Sequence, residues 1–507
     1  MDTVKLKASD GSPVEFVDEI VGAGGMKDVY FSPDRSYVIG FFRNKQDENA
    51  RERLENIVGK YRQSIFNQIG GDYWKEMYCW PERIVEYNGK IGIVVPTYAN
   101  HFFFEYGSLN NDSLAIKGRE KEGKWFASPF LKYGQLDPNE RGNWLSYLRI
   151  SIKIARSVKR LHAAGLAHSD LSYKNVLIDP VTGSASIIDI DGLVVPGKFP
   201  PDVIGTPDFI APEVMQTLKL PLGDKNRKLP SRQTDQHALA VLIYMYLLNR
   251  HPLRGRKVHD CDDEAHDEEL AMGEKALFIE NPSDTSNRYD VQWVRQNESP
   301  SRFPTLMPWQ DLDTLPYKIL GPYLSELVEM AFIDGLHDPI KRPSANDWED
   351  ALVKTTDLLQ QCSNPDCNQK WFVFDNTRRP VCPFCKTPFR GILPVLNLYS
   401  KRGNNSFKAE NYRVMVYNGV RLYPWHVNRN IFPNEKLTAD QKKSVGYFQF
   451  YNGQWYLRNE TLNGMKDITH GGKLVGAGEV IALSEGQQIL LSDEDGGRLI
   501  QVQLVQC

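Results

Sequence analysis

The residues His168-Ser-Asp-Leu-Ser-Tyr-Lys-Asn175, followed after a short hairpin by Ile187-Ile-Asp-Ile-Asp-Gly192, gather a carboxylate, a carboxamide and two further carboxylates in one turn-rich segment. Upstream, Leu148, Ile152, Ala155, Val158 and Leu161 recur three or four apart, the spacing of one helix face. Downstream, Ala238 to Leu248 is apolar all round, as a buried central helix requires. Helical periodicity dominates from Asn143 to Leu359, so the segment sits in a mainly helical lobe. From about residue 14 to 98 the pattern is strand-rich. One helical stretch, roughly Asp47 to Phe66, interrupts it, with Leu54, Ile57, Val58, Tyr61 and Ile65 on a shared face. The expected arrangement is a small sheet carrying one helix, then a larger helical lobe.

Phosphoryl transfer needs an acidic group beside the accepting hydroxyl and oxygen ligands that hold Mg²⁺ against nucleotide phosphates. Asp170, Asn175 and Asp189 are of those types. With Gly205-Thr-Pro-Asp-Phe-Ile-Ala-Pro-Glu213, Asp235 and Asp338-Pro-Ile-Lys-Arg-Pro343 in order behind them, the chain resembles the eukaryotic-type serine/threonine protein kinases over residues 14–358. The resemblance implies a bilobal α+β fold, with an N-lobe of about 14–98 and a C-lobe of about 99–358. It also implies transfer of the γ-phosphoryl group of Mg-ATP to protein Ser/Thr. It makes Asp170 the catalytic base, Asn175 and Asp189 the magnesium ligands, and Thr206 the threonine of the substrate loop. Glu213 and Arg342 become the ion pair anchoring that loop. The metal motif reads Asp189-Ile-Asp191 where the family has Asp-Phe-Gly, and Ser169 and Ser172 replace the usual Arg and Lys. The alternative is a pseudokinase scaffold that binds nucleotide or partners and transfers nothing; retention of the acidic set and Lys27 argues against it.

Val21-Gly-Ala-Gly-Gly-Met-Lys-Asp-Val-Tyr30 fits a glycine-rich phosphate loop through Gly22, Gly24 and Gly25, with Lys27 in place of a third glycine. The strand Tyr37-Val-Ile-Gly-Phe-Phe-Arg43 puts Gly40 where the family's lysine belongs. Strand alternation places Lys27 on the face of Val29, toward the nucleotide. The combination resembles the kinases named for lacking that lysine, in which a loop lysine replaces it, so Lys27 is expected to be catalytic. Lys45 falls on the opposite parity. Val29, Val38 and Leu177 match the adenine-sandwiching positions, and the Pro96 carbonyl and Tyr98 N–H of the hinge match the adenine hydrogen bonds. Taking the helix face as centred near Leu54 and Tyr61, Glu55 lies about 100° round and Glu52 about 160°. Glu55 is the expected partner of Lys27.

At ~150 residues per domain, 507 residues suggest three or four domains. Lys and Arg total 61 against 64 Asp and Glu, which leaves no excess of positive charge and disfavours a dedicated nucleic-acid binder. No run of ~20 apolar residues spans a bilayer, so the chain reads as soluble and cytoplasmic. The acidic stretch between Arg254 and Asn297, with His259, Cys261 and His266 interspersed, reads as a solvated loop, with a metal site as the alternative.

Cys362-x4-Cys367-x14-Cys382-Pro-Phe-Cys385 gives two paired thiolates at the spacing of one tetrahedral Zn²⁺ and resembles a zinc ribbon, over 360–390. Residues 392–507 alternate apolar and polar between Gly-containing turns, the pattern of an all-β sandwich. Gln454-Trp-Tyr-Leu, Asn459-Glu-Thr-Leu-Asn-Gly464 and Leu483 to Leu491 resemble strands of a forkhead-associated domain. Thr461, Asn463 and Gly464 match one of its loops, while Arg429 and Lys442 offer charge for an anion. The combination is similar to bacterial kinases of tellurite-resistance-type phosphorylation operons. That resemblance implies a von Willebrand A-type protein and a protein phosphatase as partners.

Overall fold

The computed structural model describes residues 2–23, 26–68, 70–195, 198, 205–221, 223–297, 302–374, 380–403 and 406–507. Gly24 and Gly25 lie outside the described residues. The chain divides into two compact units, one of Met1–Gly142, Ser146–Tyr317 and Glu326–Glu349, the other of Asn143–Leu145, Lys318–Ser325 and Asp350–Cys507.

The first unit opens with the hairpin β1 (Thr3–Lys7) and β2 (Pro13–Val17). A five-stranded sheet follows, built from β3 (Gly22–Ala23), β4 (Lys27–Phe31), β5 (Tyr37–Phe42), β6 (Arg83–Tyr87) and β7 (Lys90–Pro96) in the order β3-β4-β5-β7-β6. Its pairings are all antiparallel. On β5, Ile39 and Phe41 enter one apolar cluster with Phe16, Val85 and Val94, while Phe42 packs on the other face with Leu54, Ile84 and Ile93. Helix α1 (Glu48–Asn56) starts at Asp47, whose side chain accepts the Ala50 N–H at 2.8 Å. It continues through a π turn at Ile57–Tyr61 into Arg62–Phe66, so the helical stretch has the expected extent.

The rest of this unit is mainly helical. Helix α2 (Trp144–Ala163), which belongs to this unit from Ser146 onward, leads to the segment around Asp170, and the strands β8 (Val176–Asp179) and β9 (Ser184–Ile187) form the anticipated hairpin before Asp189. Helix α3 (Arg232–Leu248) is buried nearly throughout. The acidic stretch is more ordered than a solvated loop. Asp263 caps helix α4 (Glu264–Met272), accepting the His266 N–H at 3.0 Å, because Asx side chains satisfy a helix start as readily as they solvate a loop.

Among the described residues, the second unit holds the short pair β10 (Leu359–Gln361) and β11 (Trp371–Val373), the cysteine cluster, and ten further strands. Six form the sheet β13 (Phe407–Met415), β12 (Ile392–Lys401), β21 (Arg498–Gln506), β20 (Gln488–Leu490), β17 (Lys466–Asp467) and β18 (Lys473–Leu474), in that spatial order. Four form the sheet β14 (Arg421–Leu422), β15 (Gly446–Tyr451), β16 (Gln454–Asn459) and β19 (Val480–Ala482). Leu396, Val414 and Val502 from the first meet Phe448 and Leu457 from the second in one core. Among the described residues, no helix is long and apolar enough to cross a membrane.

Candidate active site

A cavity of about 720 Å³ opens in the first unit between the five-stranded sheet and the segment 168–192. The β4–β5 register pairs Lys27 with Phe42, Val29 with Gly40 and Phe31 with Val38, and all six line the cavity. Gly40 is needed there. A Cβ at this position would stand 3.3 Å from Lys27 Cδ and 3.7 Å from its Cβ, so only glycine lets the lysine stem cross without displacement.

Lys27 Nζ donates to both oxygens of Asp191, at 2.8 and 2.7 Å, and to Asp189 Oδ1 at 3.3 Å. Burial alone lowers a lysine pKa, but the two carboxylates outweigh it and hold the ammonium above its ordinary range. Asp189 sits in the left-handed region (φ 62°, ψ 39°), where a non-glycine residue is strained, and opens a 3₁₀ turn through Gly192.

Asp170 and Asn175 are linked by the turn between them. Asn175 Nδ2 donates to the Asp170 carbonyl at 2.8 Å and to its Oδ2 at 2.9 Å, leaving Asn175 Oδ1 as the acceptor it can offer a cation. Asp170 Oδ1 accepts the Thr206 N–H at 2.7 Å, and Thr206 Oγ1 donates to Ser172 Oγ at 3.2 Å. Two contacts hold the segment: buried Asp235 accepts the His168 N–H at 2.8 Å, and His168 Nε2 meets the Ile188 carbonyl at 2.9 Å. Arg342 clasps Glu213 through two hydrogen bonds of 2.8 and 2.7 Å and donates also to the Gly335 and Leu336 carbonyls.

Gly22, Pro96 and Tyr98 line the same cavity. The Pro96 carbonyl accepts a 3.3 Å hydrogen bond from the thiol of Cys79, another lining residue, whose pKa burial pushes up to about 12. Leu177 is fully buried in β8 and lies outside the cavity lining. Glu55 is not brought to Lys27: it is exposed and faces Arg51 at 3.4 Å, while Glu52 pairs with Lys198 at 2.7 Å. The α1 residue that lines the cavity is Arg53, only 4% exposed. Angular distance from Leu54 could not separate them, because Arg53 and Glu55 stand about 100° to either side of it.

In the second unit the Sγ atoms of Cys362, Cys367, Cys382 and Cys385 all lie within 4.8 Å of one another. Burial pushes the Cys362 thiol up to about 11. It also opposes ionisation of Cys385, but hydrogen bonds from Thr387 and neighbouring thiols bring that group down to about 6.

Residues 146–370 match the family model of the protein kinase domain. That match covers less than half of the 507-residue chain. Among its relatives are the serine/threonine-protein kinase PknD of Chlamydia felis, 27% identical over 140 residues, and the serine/threonine-protein kinase ppk21 of Schizosaccharomyces pombe, 27% identical over 176. The first match covers 22% of this chain and 13% of PknD, the second 30% of each chain, so both relatives are matched over less than a third of their length. Solved structures similar in fold include ROP2 from Toxoplasma gondii, described as a virulence factor with a protein-kinase fold and no enzymatic activity. The likeness to ROP2 has a TM-score of 0.38 and 13% identity, and covers 70% of this chain and 85% of that one.

Proposed function

We propose that the protein is an active serine/threonine kinase that moves the γ-phosphoryl group of Mg-ATP to protein hydroxyls. The observation that carries this reading is the meeting in one cavity of Lys27, Asp170, Asn175 and Asp189, drawn from a sheet strand, a turn and the far side of a hairpin. A scaffold has no need of that convergence.

In this reading Asp170, held at Oδ1 by the Thr206 amide and at Oδ2 by Asn175, accepts the proton of the substrate hydroxyl as that oxygen attacks the γ-phosphorus. The nucleotide diphosphate leaves. Asn175 Oδ1 and the Asp189 carboxylate are hard oxygen donors suited to Mg²⁺, which supplies charge neutralisation at the phosphate oxygens. The Lys27 ammonium adds a fixed cation on the sheet side, while Val29 and Val38 face the base. Ser172 stands where the family has a lysine, which leaves Lys27 more of the phosphate charge to balance. The Glu213–Arg342 pair anchors the substrate loop behind Thr206.

The four thiols fit one structural Zn²⁺, since protein sulfur would fill all four positions and leave none open for catalysis. The two sheets with a common core support the forkhead-associated-like reading, in which Asn459 fixes the loop by donating to the Leu462 and Val475 carbonyls at 2.7 and 2.8 Å. We assign this region to docking, with a von Willebrand A-type protein and a phosphatase as partners on the domain combination alone.

The deciding assay follows labelled phosphate onto the protein itself and a generic protein substrate. Wild type should transfer, and Asp170→Ala should lose roughly 100- to 10,000-fold. No transfer by wild type would favour the scaffold.

A further inference from the structure

We infer that Asp191 is the positioning residue of Lys27, doing from the metal-ligand segment what a helix glutamate was expected to do from α1. The inference rests on the kinase reading and names a residue that reading did not use.

Four observations converge on it. Both Asp191 oxygens take hydrogen bonds from Lys27 Nζ, whereas Asp189 offers one oxygen at the longer 3.3 Å. The Lys27 and Asp191 side chains are 19% and 11% exposed, so their attraction is little screened, while Asp189 at 57% stays open to a cation. The two acidic groups of α1 that flank its buried face are engaged elsewhere, Glu55 with Arg51 and Glu52 with Lys198. The helix turns Arg53 to the cavity instead. A guanidinium repels an ammonium and cannot hold it in place.

The local backbone explains how residue 191 reaches the lysine. The left-handed residue at 189 and the 3₁₀ turn Ile190–Gly192 let the carboxylates of residues 189 and 191 meet one ammonium, whereas in an extended strand residues two apart stand about 7 Å from each other. Buried Ile190 pins the turn between them. The family's glycine at this point carries no side chain, so Asp191 is an added group and not a substituted ligand. Lys27 is thereby tied to the segment that holds Asp189, and its placement does not wait on an ion pair to α1.

The test is a double-mutant cycle on the full chain with Lys27→Ala, Asp191→Ala and the double variant, together with Asp191→Asn, Asp191→Glu and Glu55→Gln. Steady-state transfer is followed against ATP and against Mg²⁺, and affinity for a fluorescent N-methylanthraniloyl-ATP is measured alongside. Asp191→Asn, close in shape and safe for folding, should cut kcat by roughly 30- to 100-fold with the Mg²⁺ half-saturation unchanged within about threefold. Asp191→Glu should recover part of that loss. The double variant should be no slower than Lys27→Ala by more than about threefold, the signature of two residues acting through one another. Multiplying losses, a tenfold rise in Mg²⁺ half-saturation, or a larger loss in Glu55→Gln than in Asp191→Asn would overturn the assignment. If wild type transfers nothing, the kinase reading fails by itself. The cycle is then read on nucleotide affinity, where non-additive losses support the Lys27–Asp191 coupling and additive ones refute it.

Discussion

The cysteine cluster and the cavity around Lys27 both gather chemistry, but they do so over different distances along the chain. Cys362 and Cys367 pair through one local loop and Cys382 and Cys385 through another, and the four sulfurs point at one another. Lys27 and Asp191 are 164 residues apart and meet across an open cavity. The first arrangement is complete once its ligands are counted, while the second depends on which face each element presents. A closed set of thiols suits structure. An open set of acid, amide and ammonium suits transfer.

The largest effect should come from removing metal from the closed set. Four thiols without a shared cation would repel as thiolates or lie unpaired as buried thiols, and binding energies of structural Zn²⁺ are ~10 kcal/mol or more in small domains. Purified protein is expected to carry one equivalent of zinc, and chelation should melt the region around β10 and β11 while sparing the first unit. Zinc-free protein of unchanged stability, or a Cys382–Cys385 disulfide, would break the comparison at its closed end.

Next in size is Lys27→Ala. In the proposed kinase reading it removes the cation that balances phosphate oxygens, so it should lower turnover by ~100-fold or more, ~2.7 kcal/mol at 1.36 kcal/mol per decade. Lys45→Ala should do little, because Lys45 is exposed beyond the end of β5. Comparable rates for Lys27→Ala and wild type would show the open site to be built around another group.

These two sites also mark how far the sequence could be read. Local order was legible: the helix at 47–66, the hairpin before Asp189, the cysteine spacing and the parity that sends Lys27 and Val29 to one face all depend on residues near each other. The Asp170–Asn175–Thr206 contacts came through motifs in the expected order. What was not legible depended on the sign of a rotation or on a distant contact. A helical wheel gave Glu55 its angle from Leu54 but could not say which flank faces the cavity, and that flank belongs to Arg53. The partnership of Asp191 with Lys27 leaves no sequence signal, because its reach depends on a left-handed residue at 189. Leu177 had the right residue type, yet it lies buried outside the lining.

A smaller effect sharpens the same geometry. Gly40→Ala puts a methyl carbon 3.3 Å from Lys27 Cδ, close enough that the stem must shift by a few tenths of an ångström. Roughly a three- to tenfold fall in kcat is expected, with thermal stability nearly unchanged, since small displacements of a phosphate-binding group act on rate before they act on folding. A rate equal to wild type would mean that the stem position is not held as tightly as the Asp191 hydrogen bonds imply.

The smallest expected effect is none at all, for removal of phosphate from the purified enzyme. Many kinases order their substrate loop by pairing a phosphate with an arginine beside the catalytic aspartate. Here both halves of that device are missing. Residues 190–205 contain no Ser, Thr or Tyr, and the arginine position is Ser169, whose hydroxyl donates to the Gly192 carbonyl at 3.2 Å. The nearest hydroxyl after that stretch, Thr206, is buried, and its Oγ1 is engaged with Ser172 while its N–H holds Asp170. A phosphate there would bring negative charge against the Asp170 carboxylate, so in the proposed kinase reading Thr206 suits substrate positioning and not activation. Phosphatase-treated and untreated enzyme should therefore turn over at the same rate. Loss of activity on treatment, with mass spectrometry locating the lost phosphate on Thr206, would show that the open site needs a charge the chain does not itself supply.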